Sequence, residues 1–334
     1  MTAAAPLAEE ILRGDRRALA RAITMIESTR ISDRSKAEEL LTSLLPHTGR
    51  AMRVGISGAP GVGKSTFIEA LGAHVIAKGH RLAVLAVDPS SRRSGGSILG
   101  DKTRMESLAR NPAAFIRPSP AGMTPGGVAR RTRESMLLTE AAGFDLVLVE
   151  TVGVGQSETA VSEMVDLFVL LIGPGGGDEL QGIKRGVMEL ADIVLVTKAD
   201  GDLKPAAARA ASEYGHALHL MRPKYPTLPP QVLQVSALER QGIAETWQAI
   251  RQFHGALQAS GQLQNLRRTQ LKYWFGNDLQ MLVAEAISLN PTMQREVGVA
   301  EADVIEGRCL PGAAAQNLLR LYLAGAGTRT DSPD

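Results

Sequence analysis

Between residues 53 and about 240, short apolar runs alternate with stretches of helical spacing. The runs fall at 53–57, 82–87 (LAVLAV), 113–117, 145–150 (DLVLVE), 166–172 (DLFVLLI), 192–197 (DIVLVT) and 232–236. Several are apolar at every position instead of every second one. Strands read this way when helices cover both faces of their sheet, so the pattern predicts an α/β chain with a doubly wound, largely parallel sheet. In such sheets ligands sit beyond the carboxyl ends of the strands. Residues that carry chemistry should therefore follow the runs.

The first run supplies the sharpest case. It feeds the turn in RVGISGAPGVGKST, Arg53–Thr66, which then opens a helix carrying Phe67, Ile68 and Leu71. Gly58, Gly63, Lys64 and Ser65 fit G-x-x-x-x-G-K-[ST]. Glycines at 58, 61 and 63 let backbone N–H groups close around phosphate oxygens where a Cβ would obstruct. The helix N-terminus adds unpaired donors and a favourable dipole. Lys64 places a charge on the β- and γ-phosphates, and Ser65 offers a hydroxyl to Mg²⁺. Gly58, Ala59, Pro60, Gly61, Val62, Gly63, Lys64, Ser65 and Thr66 are thus the candidate cradle for a nucleoside triphosphate. An ordinary glycine-rich turn is the bland alternative, and the strand before, the helix after and the lysine in place argue against it.

Acidic residues follow other runs. Asp88 comes just after LAVLAV, Asp101 lies in GGSILGDKTRM, and Glu150 ends LVLVE. A carboxylate placed there can hold Mg²⁺ through water or orient the attacking water; each could equally be a helix N-cap or a solvated loop charge. Gly153 can donate its N–H to a γ-phosphate. Thr197-Lys198-Ala199-Asp200 fits the guanine-reading pattern [NT]-K-x-D. Guanine presents N1–H and an exocyclic amine side by side, both donors, and one carboxylate accepts both; adenine lacks the pair. Threonine stands at 197 where asparagine is commoner, which predicts weaker contacts to base and phosphate loop. Ser236-Ala237-Leu238 fits the small-residue loop that packs beside a guanine O6. The order of these motifs favours GTP over ATP. Pro174–Gly186, PGGGDELQGIKRG, combines glycines with Asp178, Glu179 and Lys184 straight after a buried strand. It reads as a segment that reorganises with nucleotide state or as a turn before a helix at 180–190.

Composition bounds the rest. A formal net charge of +2 over 334 residues gives no global field for nucleic acid or an acidic membrane, and 4% aromatics argues against a base-stacking platform. The single cysteine, Cys309, rules out an intrachain disulfide and suits a reducing cytoplasm. No signal-peptide pattern or membrane-length apolar run is visible. Residues 7–45 read as two or three short helices, with Gly14-Asp15 capping the second. Helices are expected at 243–258, 262–289 and 311–323, with no convincing strand after 242. The expected organisation is a helical lead-in at 1–48, a nucleotide-binding α/β domain at 49–241 and a helical region at 242–334. His216 and His219, at i and i+3 without further ligands, read as a surface helix and not a metal site. Tyr273-Trp274-Phe275 reads as packing or interface, and Arg130, Arg131 and Arg133 as the solvated or phosphate-facing side of a helix.

With GAPGVGKST, VDPSS, GSILGDKTRM, ETVGVGQSE, PGGGDELQGIKRG and TKAD in this order, the chain resembles the metallochaperone-type P-loop GTPases. Within them it is similar to the MeaB/ArgK/MMAA group, GTPase chaperones of adenosylcobalamin-dependent acyl-CoA mutases. The resemblance spans nearly the whole chain. It implies that Ser65, Asp88, Asp101 and Glu150 form the magnesium and water-positioning set. It also implies a switch I from Asp88 to about Arg104 and a switch II at Val152–Glu158. Pro174–Gly186 would be a third switch facing the mutase, with Lys184 linking that contact to hydrolysis. Homodimers joined through the C-terminal helices, GTP/GDP with Mg²⁺, and a role in gating cobalamin loading and protecting or reactivating the mutase are implied likewise. A nickel metallochaperone GTPase, which would carry cysteine and histidine ligands near the P-loop, and a nucleotide-dependent kinase or ATPase are the alternatives.

Overall fold

The computed structural model describes residues 5–28, 30–87, 105–118, 125–151, 157–175 and 185–327. They form two compact units, Met1–Gln270 and Leu271–Asp334. The first opens with α1 (Ala5–Leu12), α2 (Arg16–Glu27) and α3 (Ile31–Leu44). Asp15 caps α2, its carboxylate accepting from the N–H groups of Arg17 and Ala18. Leu19, Ile23 and Ile26 recur at helical spacing and are fully buried.

Strands and helices then alternate: β1 (Met52–Gly58), α4 (Lys64–Ala77), β2 (Leu82–Val87), α5 (Glu106–Arg110), β3 (Ala114–Arg117), α6 (Pro125–Ala141), β4 (Leu146–Thr151) and α7 (Ser157–Ser162). They continue with β5 (Leu167–Ile172), α8 (Arg185–Met188), β6 (Ile193–Val196), α9 (Lys204–His219), β7 (Gln231–Gln234) and α10 (Ile243–Ala259). All seven strands are parallel, in the order β3-β2-β4-β1-β5-β6-β7. Every predicted run is a strand, within about two residues at each end.

Alternate residues serve opposite faces. Val54 and Ile56 of β1, Val84 of β2, Leu148 of β4 and Val169 of β5 pack with Phe67 and Leu71 of α4 and with Ile250 and Phe253 of α10. On the other face Gly55 lies against Phe168 and against Val161 of α7, so close that a Cβ would collide. Helix α6 packs on β2 and β4, and α2 and α3 pack on α6. That second layer explains why Arg131 and Arg133, read from the sequence as the solvated or phosphate-facing side of a helix, are buried: they sit on the helix that the lead-in covers. Arg131 Nη1 meets Glu134 at 3.0 Å and its Nη2 reaches Ser28 O at 3.5 Å.

The sheet's amino end is tied by buried charges. Asp166, just before β5, accepts from Arg53 N–H at 2.9 Å and from Arg267 Nε and Nη2 at 2.8 and 2.7 Å. His254 Nε2 stands 3.5 Å away, at the limit of a hydrogen bond. Burial alone would raise this carboxyl, but the nearby His254 imidazole, the Arg267 hydrogen bonds and charge and the Arg53 N–H together hold it at about 2. Its folded pKa lies below the unfolded value, so its contribution of about 2 kcal/mol is complete above pH 4 and lost as pH falls from there toward 2. Asp166→Ala is expected to cost about 3–5 kcal/mol, because it strands a half-buried guanidinium. Urea unfolding midpoints measure this, and a loss under about 1 kcal/mol would contradict it.

Helix α11 (Gln262–Leu289) contributes Arg267 to this network, and the boundary between the units falls within it. The second unit holds the remainder of α11, α12 (Pro291–Ile305) and α13 (Pro311–Gly327), the last two packed together. Helix α12 escaped the sequence reading. Asn290 caps it, its side chain accepting from Thr292 and Met293 N–H, and Pro291 occupies its first turn. That Asn-Pro pair was the available signal.

Candidate functional site

The central strand β1 delivers the glycine-rich turn to the carboxyl edge of the sheet, and α4 begins at Lys64. Gly58 pairs with Leu171 across β1 and β5, and a Cβ at 58 would strike the Leu171 carbonyl. Gly63, the N-cap of α4, has φ 102°, a conformation suited to glycine. Around the Cβ positions of Gly61 and Gly63 nothing lies within 4 Å, which leaves the space a phosphate group needs. Lys64 Nζ donates to Gly58 O at 2.7 Å and Ala59 O at 3.2 Å, so the ammonium is drawn back over the turn. Ser65 and Thr66 follow in the first turn of the helix, with their N–H groups at its positive end.

Beyond β6, Thr197 is buried, and its hydroxyl donates to Val62 O at 2.7 Å with Ile172 O at 3.0 Å. The contact between this loop and the phosphate turn, which the sequence predicted to be weaker with threonine, is therefore made by the threonine itself. Lys198 takes φ 53°, an uncommon left-handed conformation for a residue with a side chain. Asp200 then follows, and its Oδ2 accepts from Ser236 Oγ. Ser236 is fixed in turn by the Glu239 N–H at 3.1 Å. The carboxylate is thus oriented by a hydroxyl, with acceptor capacity left for a ligand's donors.

These loops enclose one cavity of about 110 Å³. Val62, Gly63 and Thr66 bound it from the phosphate side. Thr197, Lys198 and Asp200 bound it from the loop after β6, and Ala237 and Leu238 from the loop after β7. Three sequence motifs separated by up to about 175 residues meet here. Phe67 and Val235 line the same cavity and were not anticipated as site residues. In the sequence Phe67 is simply an apolar residue of the helix after the turn, and Val235 ends an apolar run next to Ser236. A flat apolar wall beside a carboxylate is what a purine ring with polar edges requires.

Glu150 lies at the end of β4, buried at 4% exposure, paired in register with Ile56 of β1 and Ala86 of β2. Its neighbour Thr151 meets Ser57 Oγ at 2.8 Å. The acid is therefore beside the strand that carries the phosphate turn. Asp88, Asp101, Gly153 and Lys184 lie outside the described residues, as do Asp178 and Glu179. His216 and His219 are exposed on α9, and no group of three or more metal-ligating side chains occurs among the described residues. No helix of the described residues is long and apolar enough to cross a membrane.

Comparison with known proteins agrees with this geometry. The chain is 50% identical over 294 residues to GTPase ArgK of Escherichia coli, covering 87% of this chain and 89% of that one. It is 48% identical over 322 residues to the mitochondrial methylmalonic aciduria type A homolog of Mus musculus, covering 93% and 78%. The crystal structure of a LAO/AO transport system kinase superposes with a TM-score of 0.77 at 40% identity, covering 96% of this chain and 97% of that one. The family model described as methylmalonyl Co-A mutase-associated GTPase MeaB matches residues 19–292. With a phosphate turn, a guanine-type loop and a parallel sheet in the same arrangement, the chain belongs to the MeaB family of P-loop GTPases.

Proposed function

We propose that this protein is a Mg²⁺-dependent GTPase that turns over slowly alone and faster with a partner, and whose output is a conformational change. The partner is an adenosylcobalamin-dependent acyl-CoA mutase of the methylmalonyl-CoA type, and the change gates cobalamin loading and protects or reactivates that enzyme. The observation that carries the nucleotide part is the single cavity bounded by Gly63, Asp200 and Ala237. The mutase part rests on the names of the matching family and of the murine relative.

In this reading the N–H groups of the 58–66 turn and Lys64 neutralise the phosphates, while Asp200 accepts from the two adjacent guanine donors. Ser65 supplies its hydroxyl to Mg²⁺, which lowers the charge repulsion facing the incoming water. Glu150, with Asp88 and Asp101, positions the water and the magnesium shell, and Gly153 reports the γ-phosphate. Hydrolysis to GDP and phosphate then needs alignment and charge neutralisation, with no covalent protein intermediate.

The region 242–334 contributes the homodimer contact. Leu271, Phe275, Leu279, Leu282 and Leu289 recur on α11 at spacings of three, four or seven and are all at least 48% exposed, a stripe that a second copy would cover. The compartment is a reducing one, the cytoplasm, in keeping with the lone cysteine.

The test is a pull-down with GTP-loaded protein, followed by turnover measurements with the captured mutase. Turnover should rise with the mutase, and Lys184→Ala should reduce the stimulated rate more than the basal one. Equal loss of both rates would count against Lys184 as the link. Absence of a cobalamin enzyme among captured proteins would remove the partner assignment and leave the GTPase reading standing.

A further inference from the structure

The hydroxyl of Thr197 bears on which atoms of a guanine ring the cavity can read. Of the side chains lining that cavity, Thr66, Thr197 and Lys198 carry hydrogen-bond donors, and of these Thr197 is the buried one, at 4% exposure. A hydroxyl has one proton to give. Val62 O stands 2.7 Å from Thr197 Oγ1 and Ile172 O 3.0 Å. Ile172 O already accepts the Thr197 N–H at 2.9 Å, so the proton goes to Val62 O. None is left for a ligand.

The backbone beside it is committed in the same way. Ala199 N–H donates to Val235 O at 3.2 Å and Ser236 N–H to Gln241 O at 3.0 Å. The Glu239 N–H is taken by Ser236 Oγ at 3.1 Å. The loops after β6 and β7 thus use these donors to hold each other. Of the two other donor side chains, Thr66 belongs to the phosphate turn, and Lys198 is exposed, with an ammonium that water solvates.

Guanine carries two acceptors on its remaining edge, O6 and N7. With N1–H and the exocyclic amine on Asp200, O6 falls to the small-residue loop at Ala237. N7 then meets no buried donor side chain. Thr197 Oγ1 can show it only lone pairs, and an acceptor set against an acceptor gains nothing. Asparagine at 197 would have carried two N–H groups, one for the phosphate turn and one for the base. We infer, on the guanine-binding reading given above, that this site selects its base through N1–H, the exocyclic amine and O6 and is indifferent to N7. It therefore takes 7-deazaguanine nucleotides as well as guanine ones.

Competition against a fluorescent GDP analogue, with the full chain and Mg²⁺, would compare GDP, 7-deaza-GDP and ADP. GDP should bind far more tightly than ADP, and 7-deaza-GDP less than about fivefold more weakly than GDP. A protein donor stranded by the loss of N7 weakens binding by about fivefold to a hundredfold. A deficit of that size for 7-deaza-GDP would overturn the inference and leave guanine binding in place. GDP no tighter than ADP would overturn the guanine reading and the inference with it. Thr197→Val removes the hydroxyl and keeps the side chain's shape. It should weaken GDP and 7-deaza-GDP by the same factor, because the hydroxyl acts on the phosphate turn and not on the base. A loss for GDP that 7-deaza-GDP escapes would put the hydroxyl on N7 and overturn the inference. The comparison in the unsubstituted chain is decisive even where the variant folds poorly.

Discussion

Lys64→Ala is expected to lower GTP turnover by at least about a hundredfold and to weaken GTP and GDP binding together. The charge it removes sits at the start of α4, where the ammonium already lies over the carbonyls of Gly58 and Ala59. No other lysine belongs to the glycine-rich turn, and the backbone N–H groups that remain carry only partial charges. The loss should therefore appear in both binding and turnover, because ground state and transition state share the phosphate charge. Single-turnover hydrolysis and calorimetry with Mg²⁺ separate the two. Thermal unfolding should stay near that of the parent protein, since the side chain is only part-buried. Unchanged turnover would refute the phosphate-loop assignment.

Asp200→Asn should act on the base and spare the phosphates. A carboxylate accepts from both N1–H and the exocyclic amine of guanine, whereas a carboxamide opposes one of those donors with a donor of its own. Sites built around such a pair discriminate by about 10⁴-fold, so GTP affinity should fall by two orders of magnitude or more. Xanthine offers N1–H beside a carbonyl, the complement of a carboxamide, so XTP should bind the variant better than GTP does. Competition against a fluorescent GDP analogue measures both. Equal weakening toward every purine would show that the substitution disturbed the loop that Ser236 orients, with no bearing on the base.

The parts of this fold that were legible in the sequence are those whose cause is local. Continuous apolar runs mark strands covered on both faces, and the glycines of the phosphate turn are dictated by backbone geometry within a few residues. The TKAD and SAL loops could be read for the same reason. Strand order was not legible: β4 lies between β2 and β1, a consequence of how layers pack and not of any stretch of chain. The Asp166–Arg267 tie joins residues 101 apart, and neither looks unusual where it stands. Phe67 and Val235 carry no sign of a cavity role in the sequence, because apolar cavity walls and apolar cores share one pattern. The burial of Arg131 and Arg133 followed from the helices above them, which local charge could not reveal.

One hydroxyl group has a consequence for the nucleotide as a whole. Because Thr197 spans Val62 and Ile172, the loops proposed to hold the two ends of a guanine nucleotide are fastened directly to one another. A nucleotide held as proposed would therefore meet a base loop and a phosphate turn that are tied to each other before it arrives.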